Sequence, residues 1–213
     1  MLNNFESFDN SETATKKDIV IQDRVELLST HMYKQFLNYQ HATVNTNEVF
    51  SRMVECLNIV ADNMKQSFSA RGVSVQNIYV ESDAVKSVSV INVLWKTISF
   101  TTRCNFEPQV LSRDDGRNFP SNRIMALKGN YNDIIQGIKD HEDEMARLLD
   151  NEIASLFIPP DETQKCIFKI KFTGQEFMIN QTDAPREFVL KVVENICGSN
   201  EYHKEGFPRT FTA

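Results

Sequence analysis

The period of the apolar residues changes at Gly72, and this change constrains the fold more than any other feature of the chain. Before it, Ile21, Val25, Leu28, Met32 and Phe36 step by four, three, four and four residues. That is the 3.6-residue period of one buried helix face, and it predicts a helix over residues 18–39. A second helix is predicted from Asn45, where Asn45 and Glu48 make a capping-box-like start. Phe50, Met53, Val54, Leu57, Val60, Ala61, Met64 and Phe68 then form a broad apolar stripe, with Gly72 as its stop. The short connector at 42–44 predicts two antiparallel neighbours.

After Gly72 the period is two. Val73, Val75, Asn77 and Tyr79 alternate with Ser74, Gln76, Ile78 and Val80, and Asp83 marks a turn. Residues 85–106 are β-branched and aromatic, which predicts strand. They are too many for one strand, so a turn or bulge is predicted near residues 92–96. Residues 107–129 read as a long loop, because Pro108, Gly116, Pro120 and Gly129 are turn formers.

A third helix is predicted over residues 132–157, apolar along Ile134, Ile138, Met145, Leu149, Ile153 and Leu156 and ended by Pro159-Pro160. At that length it would be the central packing helix or would project. A hairpin follows. Cys166, Phe168, Ile170 and Phe172 point one way and Lys165, Lys169 and Lys171 the other, with a turn at Thr173-Gly174. The last helix opens at Thr182-Asp183 with Pro185 in its first turn. It buries Phe188, Val189, Val192, Val193 and Ile196 and closes at Gly198.

The expected class is therefore α+β: an N-terminal antiparallel helix pair, a predominantly antiparallel sheet, one long central helix, and a C-terminal hairpin plus helix. The expected organisation is a polar N-terminal arm (1–17), a single domain (18–198) and a polar tail (199–213). An internal boundary near 129 or 159 is the alternative.

Function is constrained mostly by exclusion. With 213 residues, 41% apolar and 24% charged, the chain can bury a real core. A net charge of −6, with the basic residues scattered, argues against non-specific nucleic-acid binding. The N-terminus has no basic region or apolar core of a signal peptide, and no stretch nears the roughly 20 apolar residues of a membrane helix. A cytoplasmic location is expected, or host cytoplasm or a virion for a viral protein. The sequon at Asn180 is read as chance.

Cys56, Cys104, Cys166 and Cys197 include no CxxC pair. They are expected as reduced thiols, used mostly as small hydrophobes. No phosphate-binding glycine loop, HExxH or G-x-S-x-G occurs. His141-Glu142-Asp143-Glu144 is the most metal-like string, yet consecutive helix residues point in different directions and cannot all be ligands. Arg113-Asp114-Asp115-Gly116-Arg117 lacks the spacing of a calcium loop. No cofactor, metal or catalytic residue is assigned.

The remaining features favour binding. The polar arm, the long loop with Arg113 and Arg117, and the aromatic-dotted tail with Tyr202, Phe207 and Phe211 are poor at ordering themselves, and neighbouring subunits would order them. Asparagine is frequent and glycine scarce, a bias seen in AT-rich viral or bacterial genomes. The expected function is a non-enzymatic protein–protein interaction or assembly protein, a viral or phage component being the specific form, with a protein partner or a homo-oligomer. One alternative is a small enzyme with dispersed catalytic residues. The other is a nucleic-acid-binding regulator that uses Lys165, Lys169 and Lys171, although such a stripe also suits the wet face of a half-buried sheet.

Overall fold

A computed structural model describes residues 10–105, 109–112 and 118–198. The class is α+β, as the periodicities require. Among these residues the order is α1 (Asn10–Ser69), β1 (Ile78–Asp83), β2 (Val88–Val93), β3 (Lys96–Thr101), β4 (Gln109–Ser112), β5 (Asn118–Lys128), α2 (Tyr131–Ile134), α3 (His141–Asn151), β6 (Glu152–Ile158), β7 (Cys166–Ile170), β8 (Glu176–Ile179) and α4 (Ala184–Cys197).

The two N-terminal helical patterns form one 60-residue helix, α1, rather than an antiparallel pair. The connector holds no glycine or proline, and the Thr43 hydroxyl donates back to the Tyr39 carbonyl at 2.8 Å, as a side chain inside a helix does. Asn45, read as a cap, lies inside the helix. It is buried and donates to the Pro159 and Pro160 carbonyls, each at 3.1 Å. The chain divides into two units, Met1–Asn38 and Tyr39–Ala213, so α1 contributes to both.

In the second unit the sheet path is β1-β2-β3-β5-β6-β7-β8, with β4 attached to β5. Among the described residues every pairing is antiparallel. Most neighbours in sequence become neighbours in the sheet; β3 instead pairs β5, and α2 and α3 lie between β5 and β6. The turn predicted near residues 92–96 is Leu94-Trp95, between β2 and β3, with Leu94 at φ 57°.

Two stretches change class. Residues 109–112 and 118–128, read as loop, are strands β4 and β5. Met125 and Ala126 are weak strand formers, but β5 lies between β3 and β6 with Ile124, Met125, Ala126 and Leu127 all fully buried; position overrides propensity. The long central helix is instead α2, α3 and β6. Gly137 breaks the path at φ +80°, and the Asp140 side chain caps α3 by accepting from the Asp143 N–H at 2.9 Å. After Asn151, Ile153–Ile158 enter the sheet between β5 and β7. A strand covered on both faces reads as a continuous apolar run, which periodicity cannot tell from helix.

The core lies on both faces of the sheet. On one, Val49, Met53, Leu57 and Ala61 of α1 and Phe188, Val189, Val192 and Val193 of α4 cover Ile91, Ile98, Phe100, Ile124, Leu156 and Phe168. Phe188 sits edge-on to both Phe100 (5.8 Å) and Phe168 (5.1 Å). On the other, Tyr131 and Leu148 from the α2–α3 region cover Val88, Val90, Met125 and Leu127. None of the helices among the described residues is long and apolar enough to cross a membrane.

Candidate interaction surface

The face carrying Ile21, Val25, Leu28, Met32 and Phe36, read as buried, is exposed. These side chains retain 60%, 55%, 58%, 59% and 53% of their accessible surface. At 100° per residue they occupy an arc of roughly 80° on the helix. Leu27, 73% exposed, lies about 100° round from Leu28, and Val20 and Tyr33 are exposed off the stripe as well. Gln35 and His31 flank it, with their Nε2 atoms 3.1 Å apart. The residue spacing carries the same period on through Ala42, Thr46, Val49, Met53 and Leu57, which are buried in the second unit. Periodicity found the stripe; it could not say whether this chain supplies the cover.

The lysines of the hairpin are partly engaged. Lys169 faces Glu176 across β7 and β8, with Nζ 2.9 Å from the carboxylate. The Lys171 ammonium donates to the Leu149 carbonyl at the end of α3. Lys165 is exposed just before β7. Ile167, on the same side of the strand as Lys165 and Lys169, is fully buried, so the three do not form one continuous wet face. Arg113, Arg117, Tyr202, Phe207 and Phe211 lie outside the described residues, as do Asp114, Asp115 and His203. Trp95, placed in a strand region by its composition, is 82% exposed at the β2–β3 turn, and Phe172 is 73% exposed at the β7–β8 turn.

Polar groups in the second unit are mostly spent on structure. Glu144, 7% exposed, accepts from the Tyr131 hydroxyl at 2.8 Å and from Arg103 Nε at 3.3 Å, and His141 Nδ1 lies 3.7 Å from its other oxygen. Burial, then the bond to Glu144, pushes the Tyr131 phenol well above its ordinary range. None of the four cysteines is in a disulfide; Cys104 and Cys166 are buried, and Cys56 and Cys197 half-buried. Burial pushes the Cys104 thiol up to about 11 and Cys166 to about 12, away from the thiolate that nucleophilic or metal chemistry needs.

Asn45, Glu48, Arg52, Glu162, Gln181 and Thr182 border a cavity of about 170 Å³. This is below the ~300 Å³ at which small-molecule sites begin, and Arg52 is spent on the Thr182 carbonyl at 3.1 Å. Among the described residues no three His, Cys, Asp or Glu side chains are grouped to hold a metal ion. Comparison of the chain with protein-family models, curated proteins and solved structures gives no match.

Proposed function

We propose that the chain is a protein-assembly component in which residues 20–38 are the docking element and the α+β unit Tyr39–Ala213 is the body it attaches to a partner. One observation carries the reading: five apolar side chains at helical spacing, each more than half exposed. Single exposed apolar residues are ordinary on protein surfaces, whereas a contiguous patch marks a contact site.

Helix energetics support it. Val20, Ile21, Val25 and Thr30 are β-branched and lose side-chain freedom in a helix. A helix rich in them draws most of its stability from packing on one face, and in residues 20–38 that face is open. A covering protein surface would supply the packing.

The test is hydrogen exchange on the full chain at nanomolar concentration, where association is absent. Amides of residues 20–38 are expected to exchange far faster than those of β5 and β6. Strong protection of 20–38 in the dilute chain would mean that the chain covers its own stripe, and the reading would be lost.

A further inference from the structure

We propose that the surface covering the stripe is the same segment of a second copy, so that the chain dimerises through a two-stranded pairing of residues 20–38. This rests on the reading of that helix as a docking element.

Spacing is the first reason. Ile21, Val25, Leu28 and Met32 are separated by four, three and four residues, the alternation of d and a positions in a heptad. This puts Ile21 and Leu28 at d, with Val25 and Met32 at a. Val25 at a followed by Leu28 at d is the combination that favours two strands over three or four, although Ile21 at d and Met32 at a do not add to that preference. The next d position falls on Gln35, at the edge of the stripe, and the apolar spacing runs on to Phe36 instead.

Width is the second. An arc of roughly 80° is a seam, narrower than the 100° or more that a helix presents to a globular core, and it suits another helix. Charge is the third. Between residues 20 and 38, Asp23 and Glu26 are matched by Arg24 and Lys34. Two copies therefore meet without net repulsion, and nothing in the segment selects a strongly acidic or basic partner.

Area sets the strength. Nineteen residues make about 28 Å of helix, and pairing them buries on the order of 600 Å² per copy, the small end of specific interfaces. A dissociation constant in the micromolar range is expected.

The test is light scattering of the full chain across micromolar concentrations, beside Leu28→Glu and Leu27→Glu, with hydrogen exchange on each sample. Both variants place a good helix former on an exposed site, and circular dichroism checks that helix content is kept. The wild type is expected to pass from one copy to two. Leu28→Glu should weaken dimerisation at least about 100-fold, and Leu27→Glu, off the seam, by no more than about twofold. Equal weakening by both variants would overturn the seam. A wild type that stays monomeric while residues 20–38 exchange rapidly would overturn the second copy and leave the docking reading standing. A monomer with those residues protected would overturn both.

Discussion

Glu144 joins three parts of the second unit: Tyr131 of α2, Arg103 after β3, and its own helix α3. Its carboxylate is nearly buried, and so is the phenol that donates to it. Glu144→Ala leaves the Tyr131 hydroxyl buried without this acceptor. That should cost about 2–3 kcal/mol, read from the urea midpoint. Glu144→Gln keeps an acceptor and should recover at least half.

The buried thiols predict a pH dependence. Cys104 is raised from an ordinary 9.0 to about 11, because burial penalises the thiolate more than nearby Arg123 favours it. The folded state thus prefers the thiol. The stabilisation is fully present below pH 9 and is lost as pH rises through about 11. For Cys104 alone the loss is about 2–3 kcal/mol; Cys166 and Tyr131 shift in the same direction. Unfolding free energy should therefore be level from pH 7 to 8.5 and fall above 9, less steeply in Cys104→Ala. A level profile to pH 11 would contradict the burial of these groups.

Among elements, the β1–β2 turn carries local strain, as the β2–β3 turn does at Leu94. Ser87 sits at φ 52°, a left-handed conformation that disfavours side chains. Ser87→Gly relieves it at the cost of greater freedom in the unfolded chain, and a net gain of about 0.5–1 kcal/mol is expected in the urea midpoint. The elements also show which signals could be read in advance. The β7–β8 hairpin and α4 were legible, because Thr173-Gly174 and Pro185 are local punctuation with local causes. The β5 strand was not, since Met125 and Ala126 have no strong preference and become strand by lying between β3 and β6. Asn45 misled for a related reason. Its side chain suits a cap, but its partners, the Pro159 and Pro160 carbonyls, lie more than a hundred residues away.

For the whole molecule, every buried apolar residue among those described lies at Ala42 or beyond. A chain beginning at Tyr39 should therefore keep the cooperative unfolding of the full chain, with a thermal midpoint within about 2 °C at concentrations where both are monomeric. A drop of 10 °C would show that residues 1–38 contribute to the core. The same shortened chain should be monomeric at every concentration if the docking element has been removed.

The α+β class, a predominantly antiparallel sheet and the positions of most apolar faces followed from sequence alone, because period and turn chemistry are properties of neighbouring residues; the order of the strands did not. What covers each face was decided by tertiary structure. Val49, Met53 and Leu57 meet the sheet and α4, whereas Ile21, Leu28 and Met32, on the same helical period, are open. Periodicity states that a face gains by leaving water. Which surface it meets depends on contacts between residues far apart in the chain, and no local pattern encodes those.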